Sequence, residues 1–295
     1  MSIFRKKGKY ILLAILLVLL AGCTRVVDSS GKVLVEKIIY TTTTFGEMFA
    51  NESWFTAIFV YPLAQVINIL TPSVGVVMAI VACTVLVNLI TLPLTAKSTA
   101  GSQKMQMLQP EMDKIAKKFE GKTDERSKMM QAQETQALYK KYDINPLTTI
   151  LGTFVTLPII FAMWQAVQRS YAVATGTFMG VDLQVSPLNG LKLGGTDVTI
   201  YVLFFVLMGV SQFISISMPK WLAKKKNTEE HKIKAYDKPA KSGANTNIMM
   251  YSMLVLILYM GLTWPTAMSV YWLVHSVVNI LKTLFAQKGI SKSGL

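Results

Sequence analysis

Thr84, Asn88, Thr91 and Thr95 stand 4, 3 and 4 residues apart inside the apolar run "CTVLVNLITLPLT", residues 83–95. On a helix, that spacing places all four on one face. Trp272, His275 and Asn279 repeat the pattern at 3 and 4 in a second apolar run. Ser211, Gln212 and Ser215 cluster in a third, and Gln165, Gln168 and Arg169 end a fourth. These groups exchange hydrogen bonds and hold water, but none is a nucleophile paired with a base. HExxH, GxSxG and P-loop patterns are absent, and the two histidines, His231 and His275, are far apart in sequence. The residues suggest neither a hydrolase nor an ATPase, and they predict no metal site and no cofactor.

Two accounts fit the polar stripes. Ser, Thr, Asn and His join helices through interhelical hydrogen bonds, typically worth under about 1 kcal/mol each, and for any single residue that is the simpler account. Polar faces on four helices also suit convergence on a hydrated cavity within the bilayer, and the set as a whole favours this second account. His275 alone reads as a hydrogen-bonding wall residue rather than a proton relay or metal ligand. Arg169, close to Trp164 and Tyr171, reads as an interfacial anchor that snorkels outward.

The elements that must position these faces are membrane spans. Of 295 residues, 52% are hydrophobic and only 16% charged, which points to an all-α membrane protein. Five stretches reach the roughly 20 residues a spanning helix needs: about 74–95, 149–168, 198–218, 248–265 and 267–285. Pro265 separates the last two and makes them antiparallel neighbours. All sixteen Asp and Glu fall outside the five spans, so the buried carboxylates of a proton-driven pump are missing. No inverted repeat supports a secondary transporter. A small-solute channel or transporter lined by the stripes stays as the alternative to a site for a polypeptide, and an assembly scaffold that translocates nothing is a third option.

The N-terminus has its own logic. "YILLAILLVLLAGC" follows Arg5, Lys6, Lys7 and Lys9 and is too short to span comfortably, so residues 1–22 are expected to be a signal peptide. Leu20-Ala21-Gly22-Cys23 has the form of a lipobox, which makes Cys23 the expected lipidation site. Cys83 lies inside the first span and reads as a small packing residue. Residues 96–148 carry ten Lys and Arg and 219–247 eight, against one in 170–197. The positive-inside rule therefore places the first two segments and the C-terminus in the cytoplasm, with residues 23–54 outside. The net charge of +14 then follows from topology, with attraction to anionic membrane lipids as a secondary effect and no motif for a nucleic acid substrate.

Three further segments carry patterns. Met105, Leu108, Met112, Ile115 and Phe119 recur at 3 and 4, which predicts one amphipathic helix ended by Gly121. With a returning helix through Met129, Met130 and Leu138, residues 97–144 form a cytoplasmic hairpin whose methionines suit varied apolar ligands, or which lies on lipid headgroups. Residues 55–73, interrupted by Pro62, read as an external interfacial helix, 219–247 as a polar loop and 286–295 as a tail.

In order and spacing, "NLITLPLT", "MLQPEMDKIAKKF", "KKYDINPLTTI", "LPIIFAMWQAV" and "WPTAMSVYWLVHSVVNILK" resemble the YidC-type membrane protein insertases, over residues 55–285. With its lipobox and no large external domain, the chain looks like the five-span form of Gram-positive bacteria. The resemblance implies five transmembrane helices around a hydrophilic groove, open to the cytoplasm and to lipid and closed outside, with a substrate-receiving hairpin at Met105, Leu108, Met112 and Ile115. It implies insertion of nascent membrane proteins without nucleotide hydrolysis, alone or with the Sec translocon. The basic cytoplasmic segments are then candidate contacts for the ribosome. The implied groove residues are Thr84, Asn88, Thr91, Gln165, Ser211, Gln212, Trp272, His275 and Asn279. One departure stands out: members of the family usually carry an arginine where this sequence has Asn88.

Overall fold

The computed structural model describes residues 26–27, 33–195, 197–231 and 241–292. The expected signal peptide and the expected lipidation site, Cys23, lie outside them. The chain is an all-α membrane protein whose helices are α1 Phe45–Asn51, α2 Tyr61–Val74, α3 Val76–Met107, α4 Gln109–Lys118, α5 Glu125–Lys141, α6 Pro146–Arg169, α7 Tyr171–Ala174, α8 Pro187–Leu193, α9 Asp197–His231, α10 Lys241–Thr263 and α11 Thr266–Lys292. A π-helical turn, Thr56–Val60, leads into α2. Among the described residues, Thr56–Val74, Val76–Pro93, Asp197–Lys225 and Thr266–Lys288 are long and apolar enough to cross a membrane, and Met250–Thr263 is a shorter apolar helix. The 24 residues of α6 add a helix of about 36 Å, also enough to span.

Two expected boundaries move. The helix that carries the first span continues beyond it to Met107, and the predicted helix through Met105 and Phe119 is broken at Leu108. Pro110 explains the break: it cannot donate to the carbonyl of Gln106, yet it fits the first turn of a new helix. The expected polar loop 219–247 is helical up to His231 and again from Lys241.

The chain divides into two compact units, 1–90 with 154–209 and 259–275, and 91–153 with 210–258 and 276–295. In the first, Ala162 and Ala166 of α6 offer a small-residue surface to Phe55, Ala57, Val60 and Ala64, with Ile39 and Met48 completing the core. α1 begins with a capping box between Thr44 and Glu47. Ile39 pairs with the end of α6: its N–H donates to the Arg169 carbonyl (2.6 Å), and its own carbonyl accepts from Tyr171 N (3.1 Å). Asn68 of α2 ties both sides, donating to Ile39 O (2.7 Å) and accepting from Ala172 N (3.0 Å).

Arg169 does not snorkel outward as expected. It is 1% exposed, its Nη2 lies 2.9 Å from Glu52 Oε1, and its Nε donates to Lys37 O at 2.7 Å. The carboxylate that holds it inside lies on an upstream segment folded over the end of α6.

Past α7, strands β1 (Thr177–Phe178) and β2 (Val181–Asp182) form an antiparallel hairpin. Its turn takes Met179 and Gly180 to φ of 52° and 86°, values for which glycine is suited. The chain then caps α11: Leu183 O and Val185 O accept from Ala267 N and Thr266 N, both at 3.0 Å, satisfying amides that have no partner within the helix.

In the second unit, α4 and α5 close on Leu108, Leu138 and Ile144. Tyr142 OH donates to Glu111 Oε1 (2.9 Å), Tyr139 OH to Met112 Sδ (3.4 Å), and Lys118 pairs with Glu134 (2.6 Å). Gln103 Nε2 donates to Thr283 O of α11 at 2.8 Å.

Candidate functional site

The polar face of α3 turns its donors back on its own helix. Thr84, fully buried, donates to Ile80 O (2.7 Å), and Asn88, 6% exposed, donates to Thr84 O (2.9 Å). Thr95 donates to Thr91 O (3.0 Å) and Thr99 to Thr95 O (2.9 Å). With the hydroxyl hydrogens used this way, the threonine oxygens keep lone pairs for outside donors. Pro93 adds to the local polarity because it has no N–H to give the Leu89 carbonyl.

On α11, Trp272 and Tyr271 are buried and His275 is half-buried. The His275 ring stacks on Tyr271 (centroids 5.6 Å, 29°) and meets Trp272 edge to face (6.3 Å, 88°). The side chains of Tyr271, Trp272 and Ser269 have no protein hydrogen-bond partner among the described residues. Gln165 is fully buried on α6, and Trp164 beside it lies 5.2 Å from Trp264.

In the second unit, the polar residues join helices. Gln212 Oε1 and the Ser276 hydroxyl share a hydrogen bond between α9 and α11, with Ser211 buried alongside. Lys282 Nζ reaches Thr95 Oγ1 of α3 at 3.4 Å. Thr91 and Asn279 are half-buried. Thr84, Asn88, Gln165, Trp272 and His275 thus belong to the first unit, and Thr91, Ser211, Gln212 and Asn279 to the second.

Ser276, Gln103 and Lys282, which join helices here, lie outside the polar residues expected from the sequence. For Lys282 the signal was present: Trp272, His275, Asn279 and Lys282 recur at 3, 4 and 3, so the lysine extends the stripe by another turn. In the hairpin, Leu108 is buried and Met105, Met112 and Ile115 pack on its core. The methionines it exposes are Met129 and Met130, at 63% and 44%. Among the described residues, no three His, Cys, Asp or Glu gather as a metal site.

Residues 66–293, the greater part of these helices and every polar face, match the family model described as 60Kd inner membrane protein. The chain belongs to this family. A Streptococcus pyogenes serotype M1 protein named membrane protein insertase YidC 1 is 30% identical over 239 residues, 81% of this chain and 76% of that protein. Membrane protein insertase YidC of Alkalihalophilus pseudofirmus is 28% identical over 287 residues, 95% of this chain and 94% of that one. Membrane protein insertase MisCA of Bacillus subtilis is 28% identical over 232 residues, 78% and 77% of the two chains. The 60Kd inner membrane protein match takes in α3 to α11 but leaves out residues 33–52.

Proposed function

We propose that this chain is a membrane protein insertase and folding chaperone of the plasma membrane, working without nucleotide hydrolysis, alone or with the Sec translocon. The observation that carries this reading is the burial of Thr84, Asn88, Gln165, Ser211, Gln212 and Trp272 within apolar helices of a chain related to named insertases. Together with Thr91, His275 and Asn279, they are proposed to line a hydrated groove. Such a groove lowers the cost of bringing a hydrophilic segment of a nascent membrane protein out of water and into the bilayer. The substrate's apolar helix then leaves for lipid, and its burial drives the step.

In this reading the basic segments face the cytoplasm and the ribosome, Cys23 carries a lipid outside, and the hairpin receives substrate. Met105, Leu108, Met112 and Ile115 hold the hairpin together, while Met129 and Met130 are its exposed thioethers. Residues 55–73 are placed along the outer surface. Asn68 of this segment donates to the carbonyl of Ile39, the residue bonded to the end of α6, which ties the segment to residues 33–52.

Reconstitution tests the function. Purified protein in otherwise protein-free vesicles is expected to insert a single-span substrate without added nucleotide. Flux of small solutes with no insertion would instead make the chain a channel, and loss of partner assembly with insertion intact would make it a scaffold. Crosslinking from Asn88 and Gln212 to a nascent chain would place substrate on the two faces.

A further inference from the structure

We propose that residues 33–52 form a strap that seals the outer end of α6 against water and ions, with Arg169 as its anchor and Glu52 as its latch. Three kinds of tie hold it. The backbone of Ile39 pairs with Arg169 and Tyr171, at 2.6 and 3.1 Å. Side chains of α2 hold the next residues: Gln65 donates to Tyr40 O and Thr43 O (2.9 and 3.0 Å), Tyr61 OH to Thr43 O (2.9 Å) and Asn68 to Ile39 O (2.7 Å). The charges complete it, with Arg169 clasping Lys37 O and Glu52, and Lys37 Nζ on the same carboxylate at 3.0 Å.

The latch is dry. Arg169 is 1% exposed and the Glu52 side chain 8%, while Ile39 and Met48 of the strap are buried against Ala162 and Ala166. A guanidinium in such a place stays there only while its carboxylate and carbonyl partners stay with it. Release of the strap would expose a cation, several carbonyls and the end of α6 together, a surface that admits water. Gln165 lies one helical turn before Arg169, so the latch stands next to the polar face of the same helix. The inference rests on reading Gln165 as groove wall; a hydrated groove in an energised membrane needs an outer closure. It assigns that closure to a segment that otherwise looks like a tether for the lipidated terminus.

The test uses the full chain in vesicles containing a pH-sensitive dye, without substrate, so that its result does not depend on insertion. Glu52→Gln is expected to raise proton leak at least tenfold over wild type, and Glu52→Asp, which shortens the latch, to raise it less. A Ser170→Cys background supplies a second readout. Ser170 is fully buried, so its replacement thiol is expected to resist an impermeant maleimide until Glu52→Gln is added, with the unsubstituted chain as blank. If Glu52→Gln does not fold, Glu52→Asp decides by the same two measurements. Folded variants that stay as tight and as unreactive as wild type would overturn the seal. If the wild type fails to insert substrate while the Glu52 variants still show both responses, the insertase reading is overturned and the strap stands.

Discussion

Arg169 Nη2 lies 2.9 Å from Glu52 Oε1, a buried ion pair joining residues 117 positions apart. Removing one member of such a pair leaves an uncompensated charge in a poor solvent, whereas removing both leaves only Lys37, whose side chain is partly exposed to solvent. Glu52→Leu alone is therefore expected to destabilise the protein by about 3–5 kcal/mol, and adding Arg169→Met to recover a large part of that loss. Unfolding in detergent, run as a double-mutant cycle, checks both; additive losses would show that the pair is not coupled.

Asn88 tests the polar face of α3. Asn88→Leu removes the amide but keeps the size, and is expected to lower insertion roughly fivefold, the equivalent of about 1 kcal/mol for one polar group among several. Asn88→Arg adds a fixed charge and is expected to favour substrates with acidic tails. Insertion assays with matched acidic and neutral substrates read both effects, and a Leu variant equal to wild type would remove residue 88 from the site.

Lys282 is the cation on the same stripe as His275 and Asn279, in contact with Thr95. Lys282→Gln is expected to slow insertion of acidic-tailed substrates by roughly three- to tenfold while leaving neutral ones near wild type, and Lys282→Arg to retain most of the activity. The difference between substrates should shrink as salt is raised. An equal loss for both substrate types would assign Lys282 to packing alone.

The hairpin separates stability from reception. Leu108→Ala, in its core, is expected to destabilise the hairpin by about 2–5 kcal/mol and expose it to protease. Met129→Ser with Met130→Ser changes two exposed thioethers, and should leave protease resistance intact while reducing crosslinks to substrate. Crosslinking that survives the Met changes would move reception elsewhere.

Much of this architecture was legible because membrane helices must satisfy their own backbones, so long apolar runs translate directly into elements. The stripes through Asn88 and His275 were legible for the same reason, since spacing alone assigns a helical face. What escaped depended on partners distant in sequence. Arg169 at a span's end looks like any boundary cation until Glu52 is folded over it, and the Gln212–Ser276 bond needs two helices side by side. The restart at Gln109 was a local matter: Pro110 was visible, but the apolar period running through it masked its effect. The β1–β2 turn at Met179-Gly180 was missed because two paired residues on each strand leave no readable alternation.

The distance in sequence between the strap and its anchor also sets an order of events during synthesis. Lys37 and Glu52 leave the ribosome long before Arg169 exists, so the latch cannot form until four further helices have been made and α6 is delivered. Until then the early segment has no carboxylate–guanidinium contact to hold it. On the seal proposed here, the newborn protein passes through a permeable stage of its own and becomes tight only when its second half arrives, which gives the cell reason to complete this chain quickly once begun.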